Sequence, residues 1–443
     1  MRAKRTSEEP TQGQANWIDD RFCPVSGDTY VVDARIHADG NAPRRGEIGR
    51  WPRSSRDDVR AALEAATRGL AAWTKLGPSA RRSMLERLIA ELPRAAREDP
   101  LLAARLGCAE AELRPHLDID LVLPADSSSS SSTTGLALVQ AHWSELFAGA
   151  SGMVLERLLA GQVVILIADA RLPMVGDAIA RACQRAELPP GALSVLHDDG
   201  DDTLSRCLAS GEVVCVAASG YAADLKRIAY RARVAAGSEP QAEFGTTFGA
   251  GVVERPDVHA ELGLRTLSSA IFVVPDEGDL NAVAAHVAQG AFGRSSTLSG
   301  QLPGQIGRVL CPERRLSGFT ERLLACIETS ADIGVPIEPL EADSEDAWRR
   351  IRELGLDEGA TLILGNGPGA EPTPERRSAP EPSSPEGVED GRFWGSVFTN
   401  VEVDGRLARL TRPAPVLRIL RVGDEAAGNE LARRLETPTE AAS

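Results

Sequence analysis

The sequence predicts an α/β protein, and three observations carry that expectation. Between residues 135 and 220, apolar strand-like runs alternate with helical patterns at crossovers of about 30 residues, the mark of a parallel, Rossmann-like sheet. A further apolar run, Ala270-Ile-Phe-Val-Val274, opens a second α/β pattern. The chain is also long enough, at 443 residues with 42% hydrophobic content, to bury about two or three domain cores.

In chain order, residues 1–15 read as a disordered arm, and Trp17-Ile-Asp-Asp-Arg-Phe22 turns like a hairpin. Ser55 stands as an N-cap before a helix whose apolar positions Val59, Leu63 and Ala66 recur at helical spacing. A second helix is expected from Ser79 to about Leu92, with Pro93 ending or kinking it. Residues 124–134, which include the six serines Ser127 to Ser132, read as a low-complexity linker. Strands follow at Leu136, in Gln162-Val-Val-Ile-Leu166, before Leu196 and in Val213-Val-Cys-Val216, with a helix over 175–187. The expected division is 16–240 for the N-terminal helices and Rossmann-like domain, 241–420 for the second α/β domain, and 421–443 for a C-terminal helix and tail. Residues 366–390, rich in Pro, Glu and Ser, read as a disordered loop.

Composition excludes several function classes. A net charge of −15 argues against a nucleic-acid or anionic-membrane surface. No run approaches the length of a membrane span, and no apolar signal core follows the basic start, so a cytoplasmic protein is expected. Seven scattered cysteines without a C-x-x-C pair, and six histidines without H-x-x-x-H spacing, give no metal-ligand pattern. The acidic turn His197-Asp-Asp-Gly-Asp-Asp202 reads as solvated.

Motif order supplies a resemblance. Trp17-Ile-Asp-Asp20, His142-Trp-Ser-Glu-Leu146, Ala160-Gly-Gln-Val-Val-Ile-Leu166, Leu188-Pro-Pro-Gly191, Gly290-Ala-Phe292, Gly391-Arg-Phe393 and Pro415-Val-Leu417 resemble, in order and spacing, successive motifs of the aldehyde dehydrogenase superfamily. The resemblance covers most of residues 17–435 and implies an aldehyde-dehydrogenase-like fold, a Rossmann-type nucleotide-binding domain plus an α/β catalytic-type domain. Relative to the family, the region that begins its oligomerisation hairpin is shortened, and the chain stops about 60 residues before the family's end. A monomer or an atypical oligomer is therefore expected.

The resemblance also assigns site positions, and most of them are altered. The nucleophile, a cysteine in the family, falls on Ser299 when aligned forward from Gly290 and on Pro303 when aligned backward from Arg308. A thiolate is the nucleophile that a thiohemiacetal needs, and neither residue supplies one. The oxyanion-donating asparagine is replaced by Ser144, beside Trp143. The ribose lysine is Ile167, and the residue that selects NAD or NADP is Ala170. The phosphate-approach run maps to Ala218, Ser219 and Ala223, of which only Ser219 persists. The general base falls on Glu261 or on Arg265, and the nicotinamide-ribose glutamate on Thr411.

The expectation is a pseudoenzyme with a scaffold or regulatory role, its partner a protein such as an active family member. No cofactor is expected, NAD or NADP being what a retained cleft would take. The alternative is an NAD(P)-dependent aldehyde or semialdehyde oxidoreductase with a rearranged site, for which Ser299, Glu261 and Ser144 are the catalytic candidates and Trp143 and Ser219 the cofactor contacts.

Overall fold

The computed structural model describes residues 15–23, 27–36, 44–106, 134–200, 202–235, 251–254, 259–330, 344–365 and 395–436, with Leu123 and Ile333 besides. The arm, the Ser-rich linker and the 366–390 loop lie outside these residues, apart from Ala15 and Thr134. The chain divides into two compact units after Thr266.

The strands, in chain order, are β1 (Trp17–Ile18), β2 (Arg21–Phe22), β3 (Thr29–Ile36), β4 (Arg44–Pro52), β5 (Leu136–Gln140), β6 (Val163–Asp169), β7 (Leu193–Asp198), β8 (Val213–Gly220), β9 (Gly251–Glu254) and β10 (His259–Thr266) in the first unit. The second unit holds β11 (Ala270–Val273), β12 (Ile306–Pro312), β13 (Thr361–Leu364), β14 (Ser396–Thr399) and β15 (Val416–Val422).

The first unit is built on an eight-stranded sheet of order β2-β1-β7-β6-β5-β8-β10-β9, with β3 and β4 pairing apart as a hairpin. Strands β7, β6, β5, β8 and β10 run parallel. Their sequences are near-continuous apolar runs because helices cover both faces of such a sheet. In β6, Val163 to Ala168 are all buried. The first long helix, α1 (Arg56–Lys75), starts where the sequence placed it. Ser55 Oγ accepts from Asp58 N–H while the Asp58 carboxylate accepts from Ser55 N–H, a reciprocal capping box. Gly69 of α1 lies directly on Gly191, so close that a Cβ on Gly69 would come within 2.3 Å of the Gly191 carbonyl carbon. The Leu188-Pro-Pro-Gly191 turn thus needs glycine on both sides.

Two expectations are corrected here. The second helix, α2 (Pro78–Arg97), runs through Pro93 instead of ending before it. Pro93 forfeits one backbone hydrogen bond, but the turn beyond it buries Ala95 and Ala96, and that packing keeps the helix going. The boundary expected at 240/241 lies after Thr266, because β10 pairs along its length with β8 and completes the first unit's sheet.

The second unit has a five-stranded sheet of order β11-β12-β15-β14-β13, parallel except for the β13–β14 pair. Alternation in β12 and β15 serves two cores: Val309, Cys311, Leu417 and Ile419 face one cluster, while Leu310, Val416, Leu420 and Val422 face the other.

Candidate functional site

The strand ends of β5, β6 and β8 gather the polar side chains of the first unit. After β5 the chain makes a single 3-10 turn, Trp143–Glu145, capped by His142, whose Nδ1 accepts from Ser144 N–H. The Ser144 hydroxyl also lies 2.7 Å from His142 Nδ1. Ser219, near the end of β8, accepts from His142 N–H at 3.1 Å. Trp143 N–H donates to Asp169 Oδ2 at 2.9 Å, and its indole is buried. Leu146 follows at φ 50°, a left-handed conformation that a branched side chain adopts only under constraint.

Asp169, the last residue of β6, is the hub on this side. Its Oδ1 accepts from Arg171 N–H and Nε–H at 2.9 and 2.8 Å, and its Oδ2 from Arg171 Nη2 at 2.6 Å. Burial raises the carboxyl, but the Arg171 guanidinium outweighs burial and holds it at about 2. Ile167, two residues earlier, is 3% exposed and offers no hydrogen bond. A small pocket of about 20 Å³ is lined here by His142, Trp143, Ile167, Asp169 and Val175 among others.

The two general-base candidates sit on β10. Glu261 is in register with Cys215 in mid-strand, whereas Arg265 is in register with Ser219 near the strand end. Arg265 forms an ion pair with Glu145, so its guanidinium belongs to the turn that carries Trp143 and Ser144. Burial pushes the Cys215 thiol up, Arg157 pulls it down and Glu261 pushes it up again. That thiol is a core group.

In the second unit, the helix Leu280–Phe292 leads into the short helix Arg294–Thr297 and then a tight loop. Leu298, Ser299 and Gly300 take φ values of 47°, 59° and 87°, three left-handed residues in succession. Thr297 anchors them, its carbonyl accepting from the amides of Gly300, Gln301 and Leu302 and its Oγ1 from Gly300 N–H. Ser299 is 8% exposed, and its amide donates to Gly293 O. Pro303 is half-buried just beyond, where Gly304 N–H donates to Ser268 O. Thr411 is exposed and uses its carbonyl to accept from Ser269 N–H. Cys311 lies in the core of β12, its thiol pushed up to about 12 by burial.

The structure therefore brings Trp143, Ser144 and Ser219 together, with Glu261 four residues short of Arg265 on the same sheet. Ser299 belongs to the second unit. Sequence reading missed the Asp169–Arg171 pair, which shows only as Asp-x-Arg after an apolar strand. It also missed Arg308 and Arg418, whose signal is a charge inside each of two buried strands. Among the described residues no group of three His, Cys, Asp or Glu side chains could hold a metal, and no helix is long and apolar enough to cross a membrane.

Comparison with known proteins agrees with this fold. The chain is 26% identical over 296 residues to an alpha-ketoglutarate semialdehyde dehydrogenase of Haloferax volcanii, a match covering 66% of this chain and 53% of that protein. It thus spans about half the length of this curated relative. A 1-pyrroline-5-carboxylate dehydrogenase 2 of Bacillus subtilis is 21% identical over 373 residues, 77% of this chain and 68% of that one. Among solved structures, an NAD-dependent benzaldehyde dehydrogenase from Corynebacterium glutamicum superposes with TM-score 0.69 at 18% identity, covering 95% of this chain and 87% of that chain. A lactaldehyde dehydrogenase from Escherichia coli gives TM-score 0.69 at 17% identity, over 95% and 83%. At such identities the structural likeness shows the fold. The family model for the aldehyde dehydrogenase family matches residues 131–436, more than half of the chain, and this chain belongs to that family.

Proposed function

We propose that this member of the aldehyde dehydrogenase family is a pseudoenzyme, a non-catalytic scaffold or regulatory protein whose partner is another protein, such as an active family member, in the cytoplasm. The observation that carries the reading is the loop to which the resemblance assigns the nucleophile, on Ser299 or on Pro303. It holds a largely buried serine, Ser299, in a left-handed turn with no thiol. An unassisted hydroxyl is a far poorer nucleophile than a thiolate.

Other parts support the same reading. The Ser144 hydroxyl is already paired with His142 Nδ1 at 2.7 Å, so it is engaged within the protein where the family presents a free donor. The residues at the ribose position fit a dinucleotide poorly. Ile167 gives it no donor, both oxygens of Asp169 are taken by Arg171 and Trp143, and Ser219 serves His142.

A second reading, an NAD(P)-dependent aldehyde or semialdehyde oxidoreductase with a rearranged site, draws support from the pocket beside Trp143 and from the dehydrogenase activities named for the relatives. Calorimetric titration of the protein with NAD and NADP, paired with thermal unfolding, separates the two. The expected result is no binding heat and no ligand-induced stabilisation. Saturable binding below about millimolar, followed by NAD(P)H formation with any aldehyde, would replace the pseudoenzyme reading.

A further inference from the structure

The second unit carries two arginines where a charge is costly. Arg308 on β12 and Arg418 on β15 are register partners on adjacent parallel strands, so both side chains leave the same face of the sheet. They are 2% and 1% exposed. Burial pulls Arg308 down to about 10, against the pull of Glu436, and pulls Arg418 down to about 9 with help from the neighbouring Arg308 charge. Both still carry their charge at neutral pH.

The acceptors around them are carbonyls. Arg418 donates from Nε to Gly307 O at 2.8 Å and from Nη1 to Leu407 O and Leu410 O at 3.2 and 2.6 Å. Arg308 donates from Nη2 to Ser269 O at 3.2 Å, while its Nε and Nη1, and the Ser269 hydroxyl, are buried without a partner. Gly307 makes the convergence possible, since a Cβ there would come within 2.6 Å of both Arg418 Nη2 and Ser269 Oγ. A buried charge without a counter-charge is strongly destabilising, and an unfilled donor next to it adds to that cost.

We propose that Arg308, Arg418 and Ser269 form a binding site for a phosphate-type oxyanion, either free or as the terminal group of a small phosphomonoester. The unpartnered Nε and Nη1 of Arg308 and the Ser269 hydroxyl offer such a group three donors. A doubly charged oxyanion balances two guanidiniums, whereas a single carboxylate leaves one uncompensated. The carbonyls of Leu407 and Leu410, which hold Arg418, and that of Thr411, which holds Ser269 N–H, close over the site. Entry of the ligand would require this stretch to lift. Occupancy would also steady the loop that carries Ser299, because Gly304 N–H donates to Ser268 O and Ala270 N–H to Gln305 O on either side of Ser269. The site stands whether or not the chain oxidises an aldehyde.

The test is thermal unfolding of the full chain in phosphate-free buffer at fixed ionic strength, titrated with inorganic phosphate, with phenyl phosphate and with chloride. The expected result is a saturable rise in Tm with phosphate and none with chloride. Arg308→Met should stay folded, and its phosphate dependence should weaken by about tenfold or more. Tighter response to phenyl phosphate assigns the site to a phosphomonoester, and tighter response to inorganic phosphate assigns it to the free ion. No phosphate shift, an equal shift with chloride, or an undiminished shift in Arg308→Met would overturn the proposal. Should that variant fail to fold, equilibrium dialysis of the wild type and of Ser269→Ala against radiolabelled phosphate decides. One bound phosphate, weakened in Ser269→Ala, supports the site, and none bound, or equal binding by both, removes it.

Discussion

The strand ends of the first unit and the β12–β15 pair of the second treat buried polar groups in opposite ways. Around Asp169 the charges are compensated, with Arg171 and the Trp143 amide on the carboxylate and His142 taking the Ser144 hydroxyl. Around Arg308 they are not, for two guanidiniums lie side by side and donors are left over. Polar side chains of opposite character at neighbouring strand ends can satisfy one another. A cluster of one sign cannot, and it needs something from outside.

That contrast can be broken most forcefully at Asp169. Asp169→Asn should cost about 3 kcal/mol in chemical denaturation, because it removes the charge opposite the part-buried Arg171 guanidinium and turns one of the two accepting oxygens into an N–H donor facing other donors. A cost below about 1 kcal/mol would show that the pair is not a hub. Arg308→Met in phosphate-free buffer should have the opposite sign, a gain of about 2 kcal/mol, since it replaces a buried, uncompensated charge by an apolar side chain of similar length. A loss there would mean that Arg308 is already compensated, and the contrast between the two regions would disappear.

The smallest expected effect sharpens the picture within the first unit. Asp177 accepts from Trp51 Nε1 at 2.8 Å and pairs with His197 Nε2 at 3.1 Å, all three buried. Burial raises its carboxyl against the pull of His197, Trp51 and Arg181. A carboxyl whose folded value is raised contributes stability fully below its unfolded value and loses it as pH rises through the folded value. Unfolding free energy measured from about pH 3 upward should therefore fall through that window for the wild type and stay flatter for Asp177→Asn. Equal slopes would show that the carboxyl titrates alike in the folded and unfolded chain.

Much of the fold was legible because its signals are local. The Ser55 cap needs only Asp58 three residues on, and the β6 strand announces itself as an unbroken apolar run. Pro93 misled because backbone chemistry argues for a helix end there, while the packing of Ala95 and Ala96 is a tertiary matter. The 240/241 boundary misled because β10 shows its allegiance only by pairing with β8. At the site, positions could be read by motif, but partners could not. Nothing in the order of residues says that Ser219 would hold His142 across 77 positions, or that Arg265 would reach Glu145 across 120.

The sequence by itself determined the family, the alternation of strands and helices, and the missing thiol between Cys215 and Cys311, because each is a matter of residue type and spacing along the chain. Only the tertiary structure decided which polar groups end up satisfied and which do not. Hydrogen bonds and charge compensation depend on distances of a few ångströms between segments far apart in sequence, and those distances exist only once the sheets have formed.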